Sequence, residues 1–250
     1  MNINAREKIW IFDFDGTLAP IVPERSKAEL HPECRNMLNN LIRYPMNHVA
    51  VLSSRKLDDL TPRIPVDGLF LGGGSGTEWQ VPGGHRFALT GEAAETLASR
   101  RNRLLPQIHA LANLPGVDIE DKDWSVALHT RHAQESSRIE LHKRLTIWQE
   151  DINVRIFRGP EVFEIQFFPH MSKSYGVRIL CKFMKFAPKE GSLFYAGDDE
   201  NDAVAMRLVI RLGGTAVTVG ERPLIPASTV VKTQRELAEK VGILAALATG

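Results

Sequence analysis

Short, unbroken apolar runs alternate with helical stripes along the first third of the chain. Ile9-Trp10-Ile11-Phe12 and Val49-Ala50-Val51-Leu52 are apolar at every position, and Leu69-Phe70-Leu71 is a third such run. Strands covered on both faces read this way. Between the first two, His31-Pro32 opens a helix, since proline suits a first helical turn. Cys34, Met37, Leu38, Leu41 and Ile42 then fall on one helical face. Leu57 and Leu60 mark a short helix that Pro62 ends. The βαβαβ rhythm predicts a doubly wound parallel sheet.

Gly72-Gly73-Gly74 interrupts that rhythm. Segments around Glu78 to Val81 and Arg86 to Leu89, joined by Pro82-Gly83-Gly84, read as a hairpin. A long helix follows, striped by Ala94, Leu97, Arg101, Leu104, Leu105, Ile108 and Leu111. Strands are expected near Val117 to Glu120 and Ser125 to His129, then a helix carrying Ile139, Leu145 and Trp148. Two more strands, Val154 to Phe157 and Val162 to Phe168, are parted by Gly159-Pro160. This block predicts an α+β domain over residues 84–167, inserted between core segments 1–83 and 168–250. The parallel pattern resumes after Pro169: a helix over Lys173 to Lys185, a buried strand Leu193-Phe194-Tyr195-Ala196, a helix from Asn201 and a strand at Ala216 to Val219. A last helix carries Leu237, Val241, Leu244 and Ala248.

Composition narrows the partners. The 250 residues are 43% apolar and 24% charged, enough for a packed core, and the formal net charge is +1. No basic excess points to nucleic acid or an anionic membrane, which leaves an anionic small molecule as the expected partner; a monomer is expected. The apolar run at Ile9 is too short for a signal peptide, and nothing reaches membrane-spanning length, so a cytoplasmic protein is expected. Cys34 and Cys181 lie far apart on apolar helical stripes and read as buried thiols.

Candidate chemistry gathers at strand ends. Asp13-Phe14-Asp15-Gly16-Thr17 follows the first buried strand, where ligands bind in open α/β sheets. Two carboxylates so spaced can hold a hard cation while one attacks as nucleophile and the other acts as general acid. Taken alone, the run could equally be a surface turn. A calcium loop is excluded: Thr17 and Leu18 stand where ligands and glycine are needed, and a strand precedes it. Gly197-Asp198-Asp199-Glu200-Asn201-Asp202 follows another buried strand. An acidic helix start explains Glu200 and Asp202, but not the pair Asp198-Asp199 at the strand tip. Such a cluster calls for a cation, and few protein oxygens plus water and phosphate suit Mg2+. Ser53-Ser54-Arg55 and Lys173 open helices on the same side and can supply phosphate donors.

The ordered set D-x-D-G-T, serine, lysine and G-D-D-x-x-D resembles the haloacid dehalogenase-like phosphotransferases. That resemblance implies a Rossmann-like core with an inserted cap, and a phosphatase in which Asp13 becomes an aspartyl-phosphate. Asp15 would be acid and then base, with Lys173 the third catalytic residue. Ser53, Ser54 and Lys173 would bind phosphate. Asp13, Asp15 (through its carbonyl), Asp198, Asp199 and Asp202 would hold or support Mg2+. Within this superfamily, several segments resemble trehalose-6-phosphate phosphatases: Gly74-Ser75-Gly76-Thr77-Glu78, Glu120-Asp121-Lys122, His129-Thr130-Arg131, and Glu164-Ile165-Gln166 with Pro169 and Lys173. Ser54, Ser75, Thr130, Gln166 and Ser174 depart from that pattern. The resemblance implies trehalose 6-phosphate as substrate, contacted by Gly76, Lys122, His129, Arg131 and Glu164. His170 reads as a loop residue, and hinges are expected near Pro82–Gly84 and Phe167–Pro169. A related sugar-phosphate phosphatase, a phosphomannomutase-like phosphomutase and a catalytically silent sugar-binding module are the competing readings.

Overall fold

A computed structural model describes residues 7–151, 154–159, 161–168 and 172–249. The chain divides into two compact units, Met1–Ala88 with Ser172–Gly250, and Leu89–Met171. Pro160, Pro169 and His170 lie outside the described residues.

The first unit is built on one sheet. Its strands are β1 (Lys8–Phe12), β2 (Asn47–Leu52), β3 (Phe70–Gly73), β4 (Glu78–Gln80) and β5 (Arg86–Ala88), then β10 (Leu193–Gly197), β11 (Thr215–Val219) and β12 (Thr229–Val231). Their order is β12-β11-β10-β1-β2-β3-β4-β5. All neighbours from β12 to β3 are parallel, and the β4–β5 hairpin extends the sheet antiparallel. The order reverses at β1, between β10 and β2, so β1 sits at the switch point where α/β sheets bind ligands. This is the doubly wound α/β core that the apolar runs predict.

Helices cover both faces of this sheet, which explains the unbroken apolar strands. Trp10, Phe12, Val49 and Val51 face one core with α1 (Pro32–Ile42), α2 (Leu57–Leu60) and α7 (Gln234–Thr249). Ile9, Ile11, Ala50 and Leu52 face the other with α5 (Lys173–Phe183) and α6 (Glu200–Arg211). His31 caps α1, its Nδ1 accepting from the Glu33 N–H at 3.3 Å, with Pro32 in the first turn. Cys34 and Cys181 are buried free thiols. The strand β12 was absent from the sequence expectations: three residues are too few to show a period.

The second unit is a four-stranded antiparallel sheet with two helices. β6 (Asp118–Asp121), β7 (Ser125–His129), β9 (Val162–Gln166) and β8 (Arg155–Arg158) run in that order. The helices α3 (Glu92–Leu111) and α4 (Glu135–Asp151) pack on one face, burying Leu104, Ile108, Leu141 and Leu145 against Val126, Leu128 and Ile165. Ile139, expected on the apolar stripe of α4, is instead 62% exposed. Leu141 and Leu145 carry that face, and Ile139 lies on the opposite side of the helix.

Candidate phosphoryl-transfer site

Asp13 follows β1 directly, and its backbone N–H donates to the Ala196 carbonyl of β10 at 2.9 Å. That bond pins the nucleophile candidate beside the tip of β10, which carries Asp198. Gly16 makes the turn possible: its φ is +78°, and a methyl group there would overlap the Asp198 carboxylate. Thr17 Oγ1 reaches Asp198 Oδ1 at 3.4 Å. Among the described residues, Asp13, Asp198 and Asp202 each offer a carboxylate oxygen, all within 4.8 Å of one another. Such hard oxygen donors, few in number and beside open strand ends, fit Mg2+.

Lys173 opens α5 and is buried between two of these acids. Its Nζ donates to Asp13 Oδ1 at 2.6 Å and to Asp202 Oδ1 at 2.6 Å. Burial alone would lower its pKa, but the flanking Asp13 and Asp202 charges outweigh this and hold it well above the usual lysine range. Burial pushes Asp13 well above the ordinary carboxylate range; Lys173 opposes that push, while Asp202 and Asp198 add to it. Burial, then Asp202, raises Asp198 to about 8. One ammonium does not balance this group of acids, and a further cation would favour the ionised form of Asp13.

Asp202 is wholly buried, and its oxygens are already occupied. Oδ1 accepts from Lys173 and from Tyr195 Oη at 2.7 Å, while Oδ2 accepts from the backbone N–H groups of Asp198 (3.0 Å) and Asp199 (3.2 Å). Asp199 returns the favour as cap of α6, accepting from the Asp202 N–H at 3.1 Å. In this arrangement Asp202 organises the loop, and Asp13 and Asp198 keep oxygens available for a cation.

The Ser53-Ser54-Arg55 turn does more than the sequence suggested. Ser53 is buried, and its Oγ accepts from the Arg55 N–H at 3.1 Å, leaving its own proton to donate. Ser54 Oγ accepts from Arg25 Nη2 at 3.5 Å. Arg55, for which the sequence suggests no role of its own, is buried and grips Asp15 by two nitrogens, Nε to Oδ2 at 2.7 Å and Nη2 to Oδ1 at 2.6 Å. Its Nη1 donates to Asp59 Oδ2 at 2.6 Å. The only sequence signal is an arginine three residues past a buried strand. Gly76 lies with φ +97° against the backbone of Gly176 in α5, where a side chain would collide.

The second unit holds the remaining candidates. Lys122 and Glu164 form a buried ion pair at 3.0 Å, and Ser125 Oγ donates to the other Glu164 oxygen at 3.2 Å. His129 Nε2 lies 3.0 Å from Glu120 Oε2. Arg131 is exposed and donates to Glu161 Oε2 at 2.9 Å, so it does not join the Lys122 pair. Trp79 is buried in a core of the first unit, Trp148 packs partly buried against the core of the second, and Trp124 is buried.

Asp13 at the switch point, Lys173 shared between two acids and the acidic cluster after the next strand bring together the residues that carry the resemblance to haloacid dehalogenase-like phosphotransferases. The trehalose-phosphatase family model matches residues 11–222, and the chain belongs to that family. It is similar to the trehalose-phosphate phosphatase of Mycobacterium tuberculosis strain H37Rv, 32% identical over 212 residues, which are 82% of this chain and 52% of that protein. The Mycobacterium avium protein of that description is 32% identical over 205 residues, 79% of this chain and 50% of its own. The chain thus spans about half the length of these curated relatives. Among solved structures, the C-terminal domain of the C. albicans trehalose-6-phosphate phosphatase aligns with a TM-score of 0.72 at 18% identity, covering 96% of this chain and 92% of that one. The sucrose-phosphatase of Synechocystis sp. PCC6803 gives 0.63 at 15% identity, covering 96% and 98%. At these identities the structural likeness concerns the fold. No helix among the described residues is long and apolar enough to cross a membrane.

Proposed function

We propose that the chain hydrolyses trehalose 6-phosphate to trehalose and phosphate, with Asp13 as nucleophile. The observation that carries this reading is the buried Lys173, held at 2.6 Å from both Asp13 and Asp202 at the sheet's switch point. An Asp13 oxygen attacks phosphorus and forms an aspartyl-phosphate as the sugar oxygen leaves. Asp15 protonates that oxygen, then takes a proton from the water that cleaves the acyl-phosphate. Arg55 orients Asp15, Ser53 donates its hydroxyl to a phosphoryl oxygen, and Lys173 offsets the developing charge. Ser54 and the Asp15 carbonyl complete the phosphate and metal contacts, and Asp199 supports them. Asp13 and Asp198 would hold Mg2+, which would supply charge neutralisation for phosphoryl transfer.

In this reading Lys122 and Glu164 hydrogen-bond sugar hydroxyls, with Gly76, His129 and Arg131 as further contacts. The charged, buried pair supports it, since charged planar and ammonium groups pair well with hydroxyls. The family membership favours the trehalose ester over other sugar phosphates. The same reading has the chain acting as a cytoplasmic monomer on a small molecule, and two buried free thiols fit a reducing compartment.

Phosphate release with Mg2+ from trehalose, sucrose, glucose and mannose 6-phosphates tests the proposal. Preference for the trehalose ester is expected, with activity abolished by Asp13→Asn. Preference for another ester overturns the substrate; dependence on a bisphosphate activator makes the protein a mutase. Undiminished turnover in Asp13→Asn removes the covalent mechanism.

A further inference from the structure

We propose that Gln166 is a substrate-binding residue whose carboxamide hydrogen-bonds hydroxyls of the sugar beside Lys122 and Glu164. The inference deepens the trehalose 6-phosphate reading and rests on it. Gln166 ends β9, an inner strand with a neighbour on each side, and its register partners are Ser125 on β7 and Arg155 on β8. Successive residues of a strand point to opposite faces. Ile165, with Val126 and Leu128, packs on the face covered by α3 and α4. Glu164 and Gln166 therefore share the other face, with Ser125 and Ala127 opposite them.

The polar side chains on that face are unequally satisfied. Glu164 is complete: Lys122 donates to one oxygen and Ser125 to the other. Gln166 is 0% exposed, yet neither its Oε1 nor its Nε2 has a hydrogen-bond partner among the described residues. Trp124, next in the chain to Ser125, is also buried, and its Nε1 likewise lacks a partner. A buried carboxamide with both ends unpaired weakens folding, and folded proteins keep such groups where something else completes them. A sugar supplies what is missing. Each hydroxyl both donates and accepts, so a vicinal pair meets the acceptor and the donors of one amide plane. Neutral hydroxyls, rather than a phosphate, match an amide that offers both roles and carries no charge.

Gln166→Met tests the inference, because it keeps the length of the side chain and removes both polar atoms. Removing a hydrogen-bonding contact of this kind should raise KM for trehalose 6-phosphate about tenfold. The change in kcat should be smaller, and the loss in kcat/KM for p-nitrophenyl phosphate, which has no sugar, several-fold smaller. The ligand-free Tm should hold or rise, since an unpaired amide has been removed. Gln166→Glu, which keeps the acceptors but loses the donors, should also raise KM. Should Tm fall while KM for the sugar ester stays at the wild-type value, Gln166 is a structural residue completed by water and the proposal is overturned. Equal losses on both esters overturn it too. Wild-type protein that cleaves p-nitrophenyl phosphate but not trehalose 6-phosphate sinks the substrate reading, and the sugar role of Gln166 with it; a wild type active on trehalose 6-phosphate with unchanged KM in both variants sinks the Gln166 role alone.

Discussion

Asp202→Asn separates an organising carboxylate from a metal ligand. The native side chain accepts four hydrogen bonds, two on each oxygen, with no exposed surface. Asparagine has the same shape but one acceptor oxygen and one NH2 donor. If its oxygen turns to Lys173 and Tyr195, the NH2 faces the N–H groups of Asp198 and Asp199, donor against donor. If it flips, the NH2 meets the Lys173 ammonium. Two buried donors are stranded either way, at about 1–3 kcal/mol each. Lys173 also loses one of its two counter-charges, so a total of roughly 3–6 kcal/mol is expected. For a chain of this size, each kcal/mol moves Tm by about 2–4 °C. A circular dichroism melt in Mg2+-free buffer should therefore show a fall of roughly 6–24 °C. Activity should fall about a hundredfold or more as Lys173 leaves its place beside Asp13. A variant that melts within about 2 °C of wild type without Mg2+, and loses only the stabilisation Mg2+ gives, would refute the organising role and make Asp202 a metal ligand.

Three other outcomes follow from the same geometry. Asp198 has a folded pKa of about 8 against an ordinary 3.8, so its contribution favours the metal-free fold below the ordinary value and is lost as pH rises through about 8. Mg2+ binds the ionised form, and the rise in Tm on adding it should be larger at pH 8.5 than at pH 5.5; equal rises contradict the assignment. Arg55→Lys replaces a two-point grip on Asp15 by a single ammonium. Its kcat should drop about tenfold or more, and wild-type turnover would remove Arg55 from the reaction. Burial raises the Cys34 thiol to about 12 and the Cys181 thiol to about 11. Native protein at pH 8 should resist an aromatic disulfide reagent that labels both thiols after unfolding, and fast native labelling would show at least one to be reactive.

What could be read along the chain was local. The run Ile9 to Phe12 announced a strand because every position is covered, and Asp13 stood out because it follows that strand at once. The acids from Asp198 to Asp202 were visible as a cluster, and the spacing of Asp199 and Asp202 is a helix start written in the sequence. Their division of labour was not visible. Asp202 looks like one acid among several until β10 places Tyr195 beneath it and α5 brings in Lys173. Arg55 and Asp15 are 40 positions apart, Lys173 and Asp13 are 160 apart, and no periodicity links such pairs. They meet because parallel strands put their carboxyl ends on one edge, which the βαβ rhythm does predict, but side-chain direction at that edge depends on turns of a few residues. The same limit hid Gln166. Alternation places it on a face with Glu164, but only the packed fold shows that one side chain is complete and the other is not. Sequence therefore locates the reacting acids at the sheet edge, and the fold decides which of them reacts, which binds and which holds the others still.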